Sequence, residues 1–352
     1  MKRVEKRKCS LFKCFSLLLM ATILSFSIVE GAEVLHMNHQ FPADAAGSKI
    51  DQWFADEVKE ASNGDLEIKV FWSNGLGQPT ENLSLLKAGH IDMAAMSAGY
   101  FQEQLPFFSA PNSIPMAMDD ICQSSAIMKA FIDEIPAFKR EAEENGVRPL
   151  FFHLLNPYLL FSRKPINKFS DLKGLRIRTW GNDLPLLIQS AGAQPVQLFL
   201  PDIAEALKQG VIDATPFSVD LAVSYQLFES AKHVTRVTIW EGPSWGVWIS
   251  RKTWLRLSKK HQNILLEISE KARAREVPET LAAERDSESF LKSKGVAFHS
   301  FPNSELEKWK AVSPNFFERF VHDMKAKGYE SDARHTIRIW QEIRAKSRCA
   351  TR

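Results

Sequence analysis

Between residues 33 and 100 the spacing of apolar side chains switches back and forth between two periods, which confines the chain to folds that lay helices against a sheet. EVLHMNHQF reads as a strand. KIDQWFADEVKEASNG then sets Ile50, Trp53, Phe54, Val58 and Ala61 on one helical face and stops at Asn63-Gly64. DLEIKVFW alternates in period two, PTENLSLLKAG returns to a helix that Gly89 ends, and HIDMAAMS is a mostly buried strand. Such alternation points to an α/β architecture with parallel pairing.

A short motif recurs within this frame: Leu86-Lys87-x-Gly89-x-Ile91-Asp92 returns as Leu207-Lys208-x-Gly210-x-Ile212-Asp213, each copy with a proline at the helix entry, Pro79 and Pro201. A duplicated α/β lobe with a cleft between the copies explains the match, and a chance helix-glycine-strand junction explains it equally. Past residue 250, RKTWLRLSKKHQNILLEISEKARAREVPETLAAERDSESFLKSKG keeps helical periodicity for longer than one connecting helix needs. It is either a spine shared by both lobes or two helices breaking near Val277-Pro278. VAFHSFP reads as a strand, and the remainder as helix ending in a solvated basic tail.

The amino terminus has another character. MKRVEKRKCSLFKC is basic and precedes the apolar run FSLLLMATILSFSIV and the small-residue sequence VEGA, the pattern of an export leader cleaved after Gly31 or Ala32. The run of about fifteen residues is short against the ~20 of a spanning helix, so the mature chain is expected to be soluble outside the cytoplasm with no membrane insertion. Without residues 1–32 the 45 basic residues lose six and the 42 acidic residues lose two, leaving 39 against 40. A mature net charge of −1 offers no electrostatic footprint for nucleic acid. Cys9 and Cys14 leave with the leader, and Cys122 and Cys349, far apart in sequence, read as two lone thiols and not as a disulfide framework.

Enzyme constellations are missing. The chain has no glycine-rich phosphate loop, no G-x-S-x-G elbow and no H-E-x-x-H helix, and of its nine histidines only His36 and His39 lie close, on opposite strand faces. Asp119-Asp120 reads as solvated carboxylates or a helix cap. No catalytic residue, metal or cofactor is assigned. The stretch that invites a site is DLKGLRIRTWGN, residues 171–182, where period two puts Arg176, Arg178 and Trp180 on one side of a strand whose end opens where α/β sheets bind ligands. A guanidinium there grips a carboxylate through two parallel hydrogen bonds, and Trp180 walls the pocket.

Taken in order, FADEVKEASNGDLEIKVFWSNGLGQPTENLSLLKAGHIDMAAMSAGYF, DLKGLRIRTWGN and ALKQGVIDATPFS resemble the substrate-binding proteins of tripartite ATP-independent periplasmic (TRAP) transporters, the DctP-type family, over nearly the whole mature chain. The resemblance implies a two-lobed periplasmic-binding-protein fold with crossing strands and a long spine helix. Residues 33–155 and 245–285 are expected to form lobe I, and 156–244 and 286–352 lobe II. It also implies a receptor that closes on a small organic acid and hands it to TRAP membrane permease subunits for ion-gradient-driven uptake; a receptor serving a signalling partner is the alternative. By position, the family's carboxylate-binding arginine falls on Arg178, a first-lobe polar contact near Asn38, and lining residues near Met96, Ser97 and Tyr100. Two positions depart from the pattern: Pro216-Phe217-Ser218 stands where many members have an amide, and Pro157-Tyr158 where many have a second arginine. Trp240 and Trp245 fall where the family adds a wall. One arginine among Tyr158, Trp180, Phe217 and Trp245 suits a monocarboxylate with an apolar or neutral body.

Overall fold

A computed structural model describes residues 32–349; the leader expected over the first 31 residues lies outside them. The described chain builds two mixed sheets. The first has strand order β2-β1-β3-β10-β4, from β1 (Glu33–His39), β2 (Leu66–Phe71), β3 (Met93–Met96), β4 (Val147–Leu154) and β10 (Pro243–Ser250). The second runs β11-β9-β5-β8-β6-β7, from β5 (Tyr158–Ser162), β6 (Arg176–Thr179), β7 (Gln194–Gln197), β8 (Ala214–Phe217), β9 (His233–Trp240) and β11 (Ala297–Ser300). Pairing is parallel where a helix connects the strands, as in β1 with β2 and β3. It is antiparallel where β10 meets β3 and β4, and where β5 meets β8 and β9. Parallel pairing therefore holds only in part, because β4, β5, β9 and β10 belong to segments that cross between the sheets.

Those crossings join the halves. Residues 155–157 carry the chain from β4 to β5, and Glu241-Gly242 carry it back from β9 to β10. Gly242 sits at φ 151°, where an added Cβ would lie 2.8 Å from the Pro111 carbonyl and from the Met118 methyl, so this turn accepts no side chain. Packed on the sheets are α1 (Ala46–Ala61), α2 (Asn82–Ala88), α3 (Pro106–Ser113), α4 (Ile121–Glu134), α5 (Pro136–Glu144), α6 (Leu184–Ser190), α7 (Ile203–Lys208), α8 (Val219–Ser224) and α9 (Arg251–Arg256). Asp120 caps α4, accepting from the backbone N–H groups of Cys122 and Gln123.

The third link is α10 (Lys259–Ser293), 35 residues without a break at Pro278 and, at 1.5 Å per residue, about 52 Å long. It packs on α1 and β4 on one side and on α8 on the other. Arg273 donates to the Leu150 carbonyl (2.7 Å) and Thr280 accepts from Asn156 through its backbone carbonyl (2.9 Å), which fastens the spine to β4 and the first crossing. No helix among the described residues is long and apolar enough to cross a membrane.

The repeated motif forms the same device twice. Gly89 and Gly210 both adopt left-handed φ (77° and 69°) as their helices end. In each copy the aspartate then accepts from a backbone N–H of a neighbouring strand, Asp92 from His36 and Asp213 from Arg176, both at 2.9 Å, and returns a backbone hydrogen bond to the same residue. One copy serves β1 in the first sheet and the other β6 in the second.

Two expectations need correction. Of residues 286–352, β11 belongs to the second sheet and α11 (Asn303–Val312) packs beside it, where Trp309 donates to the Leu187 carbonyl (3.0 Å). Helices α12 (Phe316–Ala326) and α13 (Glu330–Lys346) lie on the first half, with Phe320 edge-on to Phe107 and Trp340 edge-on to Phe131. That packing returns the tail to α4, so Cys122 and Cys349 are bonded to each other, with Cα atoms 5.2 Å apart, and are not lone thiols. The tail is stapled, not loose. Since the bond closes a loop across a sequence separation of 227 residues, its removal by the double Cys→Ser variant is expected to lower stability by ~2–4 kcal/mol. Urea unfolding with and without reductant checks this; coincident curves would mean α12 and α13 hold their place unaided.

Candidate functional site

Between the two sheets lies a cavity of about 290 Å³ lined by Gln40, Ser97, Tyr100, Asn112, Tyr158, Arg178, Trp180, Leu200, Trp240 and Ser244. Residues just past the ends of β1 and β3, with residues of α3 and β10, face residues from β5, β6 and β9. The halves touch across it: Trp180 Nε1 donates to the Asn112 carbonyl and Trp240 Nε1 to the Pro111 carbonyl, each at 3.1 Å. Tyr100 meets Phe199 edge-on at 5.1 Å. A neighbouring groove of about 730 Å³ shares Tyr100 and Trp180 with the cavity.

The two arginines of β6 have separated fates. Arg176 turns to Asp213 of the repeated motif, with Nε to Oδ2 at 2.9 Å and Nη2 to Oδ1 at 2.8 Å, so its Nε–Nη2 edge is spent on that pair. Arg178, two residues on, is 2% exposed. Its Nε donates to the Leu198 carbonyl (3.1 Å), its guanidinium lies 4.3 Å from the Trp180 ring centroid, and no carboxylate among the described residues pairs with it. Burial pulls its pKa down, an effect partly offset by the hydroxyls of Tyr100, Tyr158 and Tyr225. Burial likewise pushes the Tyr100 and Tyr158 phenols up, so both stay protonated at neutral pH. None of the lining residues is Asp or Glu. A buried, unpaired cation in such a cavity favours an anion.

Of the residues expected at the site, Ser97, Tyr100, Tyr158, Arg178 and Trp180 line the cavity, and so does Trp240. Four do not. Asn38 is buried under the loop after β2, donating to the Gly77 carbonyl and Asn82 Oδ1 and accepting from Leu76 N–H. Met96 is buried in β3, and Phe217 packs behind Tyr158 with ring centroids 5.7 Å apart. Trp245 belongs to a buried polar cluster elsewhere in the first half, stacked 4.4 Å from His153 and donating to Asp51 Oδ2.

Gln40, Asn112, Leu200 and Ser244 line the cavity without having been foreseen. Period two from Asn38 along β1 leads to Gln40, a signal available in the sequence. Asn112 and Ser244 had none, because they arrive through the packing of α3 on β10: Asn112 Nδ2 donates to the Pro243 carbonyl at 2.7 Å. The N-terminus of α3 is held by Glu141, which accepts from the backbone N–H groups of Phe107 and Phe108.

The Trp245 cluster is the most charged part of the interior. Asp51 Oδ2 accepts from His39 Nε2 and Asp51 Oδ1 from His153 Nε2, both at 2.7 Å, while His153 Nδ1 lies 2.5 Å from Glu276 Oε1 on α10. His39 Nδ1 accepts from Phe41 N–H, so its Nε2 carries the proton, and burial holds it neutral. His153 is pushed up to about 10: the carboxylates of Asp51 and Glu276 outweigh a large desolvation effect. Those histidines in turn hold Asp51 well below the usual carboxylate range against its own burial, whereas burial pushes Glu276 up.

Comparison with known proteins agrees with this architecture. Residues 37–323 match the family model described as bacterial extracellular solute-binding protein, family 7. A solute-binding protein of Roseobacter denitrificans is 25% identical over 250 residues, 70% of this chain and 74% of its own length. A TRAP solute-binding protein of an unidentified marine microbe, specific for aromatic acids and solved with metahydroxyphenylacetate, superposes with TM-score 0.79 at 19% identity, covering 89% of this chain and 99% of that one. A TRAP periplasmic solute-binding protein of Sulfitobacter sp. NAS-14.1 with bound β-D-galacturonate gives TM-score 0.76 at 20% identity, covering 88% and 100%. With two sheets, crossing strands, a spine helix and a family match over most of its length, this chain belongs to bacterial extracellular solute-binding protein family 7, the DctP-type binding proteins of TRAP transporters.

Proposed function

We propose that the mature protein is a periplasmic receptor that captures a small monocarboxylic acid with an apolar or neutral body and delivers it to a TRAP permease. The single observation that carries this reading is Arg178, a buried guanidinium with free Nη donors and no carboxylate partner among the described residues, in a cavity without acidic side chains. The acid's carboxylate takes the guanidinium fork, and Tyr100, Tyr158, Trp180 and Trp240 enclose the body. Closure follows from contacts that only the closed form makes, such as those of Trp180 and Trp240 with the α3 carbonyls. The acids bound by the two structural neighbours, a sugar acid and an aromatic acid, each carry one carboxylate, which supports the class without choosing the body.

Isothermal titration against monocarboxylates, 2-oxo acids, dicarboxylates and sugar acids tests it. Aromatic or otherwise weakly hydroxylated monocarboxylates are expected to bind at least 10-fold tighter than dicarboxylates of similar size, since a second carboxylate finds no buried cation and must be desolvated unpaired. Tight binding confined to dicarboxylates would reject the reading.

A further inference from the structure

We infer that Gln40 is a specificity residue, and that the ligand carries, besides the carboxylate held by Arg178, an uncharged hydrogen-bond acceptor such as a keto, lactam or hydroxyl oxygen. This rests on the acid-binding reading of the same cavity. The side-chain nitrogen donors around the cavity belong to Gln40, Asn112, Arg178, Trp180 and Trp240. Asn112 Nδ2 is committed to the Pro243 and Ser244 carbonyls, the indole nitrogens of Trp180 and Trp240 to the α3 carbonyls, and Arg178 Nε to Leu198. Two nitrogen donor groups remain: the Arg178 Nη nitrogens and Gln40 Nε2.

The direction of the Gln40 amide is set by its neighbour. Ser97 N–H donates to Gln40 Oε1 at 3.0 Å, and a backbone N–H has no acceptor face, so the oxygen must point at Ser97 and the NH₂ away from it. Gln40 is 4% exposed, and its Nε2 meets no acceptor among the described residues. A buried donor costs stability until it is paired. Gln40 comes from the first sheet's half and Arg178 from the second's, so an acid with a second acceptor engages both. A second carboxylate suits Gln40 poorly, because one neutral N–H donor does not repay desolvating a charge.

Affinities of matched pairs differing in one acceptor test this: phenylpyruvate against 3-phenylpropanoate, and 3-oxocyclopentanecarboxylate against cyclopentanecarboxylate. The wild type is expected to prefer the acceptor-bearing member of at least one pair by about 10-fold or more. In Gln40→Met the preference falls toward 1. Gln40→Glu, which keeps an acceptor for Ser97 N–H should the methionine variant fold poorly, is expected to reverse it. Equal affinities within both pairs, or a preference that survives in both variants, would overturn the inference. So would mass spectrometry showing that the acid co-purifying with the protein has no acceptor beyond its carboxylate. Arg178→Ala separates the two readings. If it abolishes binding while the pairs stay equal, only the Gln40 assignment fails. If it leaves binding intact, the acid-binding reading itself fails.

Discussion

Replacing Arg178 with alanine is expected to cost the protein at least about 100-fold in affinity for its acid while leaving the unliganded fold as stable as before, or more so. Breaking one side of a buried charge pair costs about 3–5 kcal/mol, and every 1.4 kcal/mol is a factor of ten. The unusual part is the sign for the empty protein. Arg178 is buried without a carboxylate partner among the described residues, so its removal relieves a desolvated charge and gives up the Leu198 carbonyl bond and the stack on Trp180. Arg178→Lys separates charge from shape: an ammonium keeps the attraction but cannot present two parallel donors, and recovery should be partial. Titration calorimetry with thermal unfolding of the same variants reads both effects. Affinity within a few fold of wild type in Arg178→Ala would end the assignment.

The second large effect is expected at Asp51, which does not line the cavity. Its carboxylate accepts from His39, His153 and the Trp245 indole, and through His153 it reaches Glu276 on the spine. Asp51→Asn retains the shape but turns one acceptor into a donor facing donors, so a loss of about 3–5 kcal/mol is expected, a large part of an ordinary 5–15 kcal/mol stability. The pH dependence has a definite sign. His153 titrates at about 10 in the folded chain against an ordinary 6.5, so its contribution is fully present below pH 6.5 and is lost as pH rises through 10. Asp51 is held below its ordinary 3.8, so its contribution is present above that value and is lost as pH falls beneath it. The gap between wild type and Asp51→Asn should therefore be widest near pH 4–6.5 and narrow toward pH 10. Urea midpoints across that range provide the check, and a gap under 1 kcal/mol or one indifferent to pH would show that packing alone holds this cluster.

What could be read before folding was local. Helix and strand periods, the Asp120 cap and the glycines ending both copies of the repeat depend on neighbours a few residues away, and all stand where the spacing put them. The same locality located the β6 strand and its arginines. It could not say which arginine remains free, since that depends on Asp213, 37 residues from Arg176, occupying one guanidinium and leaving the other. Nor could it choose Gln40 over Asn38, which share a strand face until the chain turns at the end of β1 and the loop after β2 consumes Asn38.

Tertiary packing alone decided the remainder. Cys122 finds Cys349 because α13 lies across α4, and α13 lies there because Trp340 is buried against Phe131, a contact with no trace in either segment. The sequence by itself determined the layers, the duplicated motif and the presence of a guanidinium at the end of a strand, because backbone geometry and periodicity are short-range. Which polar groups face the cavity, and which are spent holding the walls, emerged only once distant segments competed for the same hydrogen bonds.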